Sequence, residues 1–424
     1  MSRPPRTGGG VDLVDRALAA GPPVMLYQPV VDLTASARPV VGYEALARWP
    51  GLGDVTTAQL FAEGDRGGRL AELDWTCRTA ALRGGLESGI DTDTALFVNV
   101  EPVASRLRPP EESRQIWRTA AERLTIVLEL TERKILTEPS ALLAAVDEAR
   151  DTGWWIAVDD VGVNPDSLAM LEFIRPDMVK LDLTFVQRTM DAEAARTLRG
   201  VSAYCERTGA LMLAEGIETE EQLERALAIG ASLGQGYLFG RPAGLHPGTA
   251  PLRARRVSRI DAAPTPYQLI SERRGYRIAR KAVLRQLTDE IEAQAATLND
   301  PPVVLCAVQS ASRFGADVAR RYSSFAVRSP MVVVFGVGMP RRPAEGTHGA
   351  DIAPDDPLRD EWVLVVLGTH GAVALAAQEL VAESERSVDD DRRFRYVMTQ
   401  DRELVVAAGM SLLNRFVRAE TGED

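Results

Sequence analysis

Lysine, cysteine and histidine are each present only three times in 424 residues. Cys77, Cys205 and Cys306 stand far apart and form neither a CxxC pair nor a disulfide framework, so the expectation is a reducing, cytoplasmic setting. His246, His348 and His370 show no metal-ligand spacing. The scarcity of lysine against 46 arginines reads as genome composition, not function. Long apolar runs are also missing. The longest nearly unbroken one, Met331 to Met339, is about nine residues, against the ~18 or more needed to cross a bilayer. The opening MSRPPRTGGG has no apolar stretch of the kind a secretory signal carries, and residues 1–12, rich in Gly, Pro and Arg, are expected to be disordered.

What is present is a globular composition, 45% hydrophobic and 26% charged, which excludes wholesale disorder and collagen. The net charge is −11, and all of the excess acidity falls in residues 1–250, where 36 acidic side chains face 25 basic ones; residues 251–424 hold 24 of each. An acidic first part argues against binding along DNA, while leaving room for a small phosphorylated ligand held through metal ions.

From Val24 to about Gly240, short apolar runs alternate with helical patterns. The runs are VMLYQPVV, VVGYEALA, LFVNV, TIVLEL, WWIAVDD, MVKLD, LMLAEG and GQGYLFG. Helices are expected between most of them, as at Thr57–Gly84, Pro139–Thr152 and Thr219–Gly230, the last opened by a capping box from Thr219 to Gln222. Eight strand candidates alternating with helices fit a (β/α)8 TIM-like barrel better than an open sheet. Only Leu33–Pro39 separates the first two runs, too short for a crossover helix, so these strands are expected to form an antiparallel hairpin.

Acidic and amide residues recur near the C-terminal ends of these runs, Glu44, Asn99, Glu129, Asp159 with Asp160, Asp182, Glu215 and Gln235, with Lys180 beside Asp182. In a barrel the strand C-termini converge on one face, so residues spread over nearly 200 positions would meet in one mouth. So many carboxylates cannot stay ionised together without cations, and hard oxygen ligands favour Mg²⁺ or Mn²⁺ over zinc. Such a site has room for two ions, the arrangement used in phosphodiester displacement.

These residues carry a family resemblance. The string YQPVVDL…VVGYEALARW, followed in order by FVNV, LELTER, IAVDDVG, MVKLD, LAEGIETEEQL and GQGYLFGRP, resembles the EAL domain, the cyclic-di-GMP phosphodiesterase family, over roughly Val24 to Pro242. The resemblance implies a modified barrel with one antiparallel strand, and hydrolysis of cyclic di-GMP to linear pGpG with two Mg²⁺ or Mn²⁺ ions. It implies metal ligation by Glu44, Asn99, Glu129, Asp159 and Asp160. Lys180 matches the lysine that holds or polarises the attacking water, and Glu215 a metal-site ligand or general base. Arg48 matches an arginine on a substrate phosphate, Gln28 and Leu46 match residues lining the substrate pocket, and Gln235 and Glu218 match further pocket residues. Glu132 matches the glutamate that anchors the loop after the paired aspartates, and Glu218 is read with it as a support of that loop. A homodimer is expected by the same analogy.

That loop departs from the family. Where FGxGYSSL is usual, the chain reads Val161, Gly162, Val163, Asn164, Pro165, Asp166, Ser167 and Leu168. Proline removes an N–H donor, so the usual backbone bonds cannot all form. The alternative to an enzyme is therefore a catalytically silent cyclic-di-GMP receptor or adaptor that signals through a protein partner.

The expected division is a barrel over residues 13–245, a linker over 246–266 and a smaller α/β domain, led by a coupling helix, over 267–424. The second domain has strand candidates PVVLCAV, PMVVVFGVGM and EWVLVVLG and helical patterns at Tyr267–Leu298, Arg313–Tyr322, Ala372–Ser384 and Arg402–Ala419. DPLRDEWVLVVLG and RRFRYVMTQDRELV resemble the DICT domain, a proposed sensory module, which implies a regulatory role with an unknown ligand.

Overall fold

The computed structural model describes residues 13–421 apart from 106–108, 133–136, 249, 254–255, 259–264 and 381–391. The expected disorder of residues 1–12 lies outside the described residues. Eight strands close into a barrel: β1 (Val24–Asp32), β2 (Val40–Arg48), β3 (Ala95–Asn99), β4 (Thr125–Thr131), β5 (Trp155–Val161), β6 (Met178–Leu181), β7 (Leu211–Ala214) and β8 (Leu233–Gln235). β1 runs antiparallel to both neighbours, β2 and β8, and every other pair is parallel. The short connection between β1 and β2 admits no crossover helix and does form the expected hairpin. The capping box at Thr219 is also present, with the Thr219 side chain accepting from Gln222 N and Gln222 bonding back.

Val30, Ala95, Phe97, Val127, Ala157, Met178, Leu213 and Leu233 form one buried cluster that plugs the barrel. Alternation along a strand sends residue i+2 to the same face. The next inward residue beyond the plug is polar on strand after strand: Asn99, Glu129, Asp159, Lys180 and Glu215, with Gln28 and Gln235 on the antiparallel β1 and on β8.

The second domain is a seven-stranded sheet in the order β12-β11-β10-β13-β14-β15-β9. The strands are β9 (Arg277–Arg280), β10 (Val303–Ser310), β11 (Val332–Val337), β12 (His348–Asp351), β13 (Glu361–Leu367), β14 (Ala372–Glu379) and β15 (Arg393–Thr399). Val304, Cys306, Leu364 and Leu375 face one layer, with helices Lys281–Ala296 and Ala316–Ala326. Val303, Leu305, Val363 and Ala374 face the other, with helices Pro266–Arg274 and Arg402–Thr421.

Two readings need correction. Ala372–Ser384 is not a helix: Ala372–Glu379 is strand β14, paired on both sides, and 381–384 lie outside the described residues. Ala374, Leu375, Ala376 and Ala377 are buried on both faces, and tertiary pairing overrides their helix propensity. The helical stretch from Tyr267 is interrupted at Arg277–Arg280, an edge strand on β15.

Helix Arg402–Thr421 also meets the barrel. Glu172, buried on the short helix Leu171–Ile174, is shared by Arg207 of the barrel and Arg402, whose Nε lies 2.7 Å away. Within 246–266, the described stretch around Val257 is strapped to the barrel: Val257 N–H donates to Asp177 Oδ1 (2.8 Å) and Arg175 Nε to Ser258 O (2.7 Å). Gly409 is a point of close approach, since a Cβ there would stand 2.5 Å from Phe173 Cε1. Helix propensity alone makes Gly409→Ala stabilising by about 1 kcal/mol. The crowding against buried Phe173 predicts the opposite sign, a net loss of about 1–3 kcal/mol, read as a lower urea midpoint.

Candidate functional site

The strand C-termini bring the polar layer into one mouth, and its centre is Lys180. Its side chain is 1% exposed, and Nζ lies 2.6 Å from Glu129 Oε1, 2.7 Å from Glu215 Oε1, 2.9 Å from Asp159 Oδ1 and 3.8 Å from Glu44 Oε2. Burial by itself would lower the Lys180 pKa. The pull of Asp159, Glu129, Glu215 and Glu44 outweighs it and holds the ammonium well above its ordinary value. Glu129 is pushed well above the usual carboxylate range, first by burial and then by the charge of Glu44, with Lys180 opposing. Glu215 is pushed up to about 8 by burial, against the pull of Lys180.

Consecutive strand residues ordinarily point to opposite faces, yet Asp159 and Asp160 both serve this mouth. The β5–β6 register slips between Val158 and Val161, and Asp160 has φ 58°, in the left-handed region that Asp tolerates. This bulge lets Asp159, Asp160 and Glu215 each present an oxygen within 4.8 Å of the others. Asp160 is raised to about 6, by burial and then by Asp159.

Amides complete the mouth. Asn99 Nδ2 donates to Glu44 Oε1 (3.1 Å), and Gln235 Nε2 donates to Glu44 Oε2 (2.6 Å) and, at 3.4 Å, to Gln28 Oε1. Leu46 and exposed Arg48 line, with Glu44 and Asn99, an adjoining cavity of about 400 Å³. Arg48 donates to Ala47 O, 2.9 Å away.

The residues fit divalent cations. Glu129 Oε2 and Gln235 Oε1 are buried without a hydrogen-bond partner, and the donors are hard oxygens around a single ammonium. Glu44, Asn99, Glu129, Asp159, Asp160 and Glu215 would hold the ions.

The altered loop keeps an anchor. Glu132 accepts from Gly162 N (3.1 Å), Asn164 N (2.8 Å) and the Ser167 hydroxyl. Burial raises Glu132 to about 7 despite these bonds. Pro165 begins a 3-10 helix, Pro165–Met170, at a position where a missing N–H costs no helical bond. Glu218 is exposed before helix Glu220–Ala228, where its N–H donates to Gln222.

Sequence reasoning missed two supports. Asp74, ion-paired with Arg78 in the buried part of helix Leu70–Ser88, accepts from Glu101 N (2.8 Å) and so fixes the chain just after Asn99. Gln187 Nε2 donates to Gly216 O (2.8 Å), fixing the turn after Glu215. The i,i+4 Asp–Arg spacing beside Trp75 was the available signal for the first; the second had none.

A family model described as "EAL domain" matches residues 12–242, more than half of the chain, and one described as "Sensory domain in DIguanylate Cyclases and Two-component system" matches residues 267–380. The cyclic di-GMP phosphodiesterase RocR of Pseudomonas aeruginosa is 28% identical over 235 residues, which are 54% of this chain and 59% of RocR. The probable cyclic di-GMP phosphodiesterase PdeG of Escherichia coli is 28% identical over 238 residues, 54% of this chain and 46% of PdeG. A solved PaMucR phosphodiesterase–c-di-GMP complex aligns at 26% identity and TM-score 0.47, covering 54% of this chain and 94% of that one. The chain spans about half the length of these two curated relatives.

Two outcomes follow from the site. Protons and cations compete for the oxygens of Asp160 and Glu215, so the apparent Mn²⁺ affinity rises with pH between about 6 and 8. Calorimetric titrations at pH 6, 7 and 8 measure it, and a flat affinity contradicts it. Glu132→Gln leaves one acceptor oxygen for three donors and is expected to cost about 1–3 kcal/mol, read by urea unfolding.

Proposed function

The chain belongs to the EAL domain family, and on that premise we propose that it hydrolyses cyclic di-GMP to linear pGpG with two Mg²⁺ or Mn²⁺ ions. The observation that carries this reading is the buried ring of Glu44, Glu129, Asp159 and Glu215 around Lys180, with Asp160 alongside.

Divalent cations there supply the positive charge that offsets carboxylates and phosphate and lowers the pKa of water. Arg48, at the rim, grips a substrate phosphate with its planar fork. Gln28, Leu46 and Gln235 shape the pocket beside it. Water oxygen bonds to phosphorus as the bond from phosphorus to the ribose 3′ oxygen breaks, leaving a 5′ phosphate on pGpG and a 3′ oxygen that takes up a proton from solvent to become the free hydroxyl. Glu215 takes the water's proton. Lys180, its carboxylate partners engaged by cations, orients the attacking water. Glu132 supports the arrangement by tethering the loop next to Asp160.

The second domain is proposed to regulate this site through Glu172. That carboxylate sits a few residues after the Glu132-tethered loop and is bonded to Arg402 of the second domain. A homodimer and a protein partner are further proposals, read by light scattering with and without nucleotide.

The test incubates full-length protein with cyclic di-GMP and Mn²⁺ and separates the products by chromatography. Formation of pGpG is expected, with Glu44→Ala and Lys180→Ala each lowering turnover on the order of 10²-fold or more. No product together with micromolar or tighter nucleotide binding in Ca²⁺ would replace the enzyme by a receptor. Arg402→Ala is expected to change turnover several-fold; unchanged turnover counts against regulation through Glu172.

A further inference from the structure

We propose that strand β9 is a docking edge of the second domain and takes up an extended, acidic segment of a partner protein as an added strand. The seven-stranded sheet ends in β12 on one side and in β9 on the other. The β12 edge is covered by its own chain, since Gly349 N–H donates to Arg341 O (2.8 Å). β9 has no such cover among the described residues, and three of its four residues are exposed.

The ladder fixes which backbone groups are open. β15 and β9 run antiparallel, with Arg393 opposite Arg280, Phe394 opposite Ala279, Arg395 opposite Ile278 and Tyr396 opposite Arg277. One position further on, Lys281 N–H donates to Arg392 O (2.8 Å). Hydrogen-bonded pairs alternate along an antiparallel ladder, so Ala279 and Arg277 bond to β15 while Ile278 lies in a pair that does not. Arg393 agrees with this phase: its carbonyl accepts from Leu380 N–H (2.9 Å), on the side of β14 and away from β9. The N–H and C=O of Ile278 therefore point away from the sheet, along its plane, and meet no partner among the described residues. Open groups of this kind on an edge strand are a template for a further strand.

The side chains select the partner. Arg273 at the end of helix Pro266–Arg274, Arg277 on β9 and Arg395 on β15 are exposed and pair with no carboxylate among the described residues. Their neighbour Arg274 is taken up by Asp401 (2.6 Å). Tyr276 and Ile278 are also half exposed, at 54% and 50%, and the Arg395 guanidinium lies 5.3 Å from the centre of the Tyr276 ring. Alternation puts Ile278, with Tyr276 just before the strand, on one face and Arg277 on the other. A strand laid alongside meets apolar groups on one face and a cation on the other, which suits a segment alternating apolar and acidic residues. A second copy of this chain would instead set the cationic edge against itself.

The probe is a fluorescein-labelled seven-residue peptide alternating glutamate and valine, titrated into the full-length protein and followed by anisotropy. The lysine–valine counterpart and an oligothymidylate of equal length run beside it. Saturable one-to-one binding of the acidic peptide is expected, about tenfold or more tighter than for either of the others. Ile278→Pro removes the open N–H at an edge position where proline is tolerated; it is expected to weaken binding about tenfold or more while leaving the unfolding temperature within a few degrees. Ile278→Ala keeps the N–H and is expected to lose only about threefold. Arg277→Glu/Arg395→Glu is expected to weaken binding about tenfold or more, and Arg277→Lys/Arg395→Lys to stay within about threefold of the natural chain. The proposal is overturned by no saturable binding, by equal binding of the basic peptide or the oligothymidylate, or by unchanged affinity in Ile278→Pro or in the charge-reversed chain. Self-association of the free chain that Ile278→Pro abolishes would also overturn it, by making a second copy the occupant.

Discussion

One buried ammonium among four carboxylates sets the terms for the barrel. Lys180 bonds closely to Glu129, Asp159 and Glu215 and lies near Glu44, and its single charge cannot balance theirs. Removing ions from water costs several kcal/mol each, so the arrangement persists only where further positive charge completes it or protons neutralise part of it. The upward shifts of Glu129 and Glu215 come first from burial, and their carboxylate neighbours add to them. The rest of the mouth answers the same need: amides from Asn99 and Gln235 hold Glu44, a bulge brings the exposed Asp160 beside Asp159, and Glu132 ties down the loop that follows.

The support continues outward to the second domain. From Asp160 the chain passes through the Glu132-tethered loop and a 3-10 helix to Glu172 and Phe173, which meet Arg402 and Gly409. Arg402 and Arg207 share one buried carboxylate, and the absence of a side chain at Gly409 lets Phe173 approach. The helix carrying Arg402 packs against the sheet on one side and the barrel on the other, so it joins the two sheets.

Much of this was legible in the residues. The short Leu33–Pro39 connection required a hairpin, and the period-2 placement of Asn99, Glu129, Asp159, Lys180 and Glu215 required a shared face once a barrel closed. Other features depend on tertiary pairing and leave no local sign. Ala372–Glu379 has helix-forming residues and becomes a strand because β13 and β15 flank it. Arg277–Arg280 looks solvated and helical but pairs as a charged edge. The slip that turns both Asp159 and Asp160 toward the mouth is a backbone event with no periodic signature, and Pro165 reads as a break until it is seen to start a 3-10 helix beside an intact Glu132 tether.

The central claim is that the carboxylates around Lys180 form a site for divalent cations. The most direct measurement is Mn²⁺ binding to the full-length chain at pH 7 by calorimetry in two buffers of different ionisation enthalpy. The account predicts saturable binding of two ions with net release of protons as Glu215 and its neighbours give them up, and loss of that binding in Asp159→Asn. No saturable binding at millimolar Mn²⁺, or binding with no proton release that survives in Asp159→Asn, would contradict it.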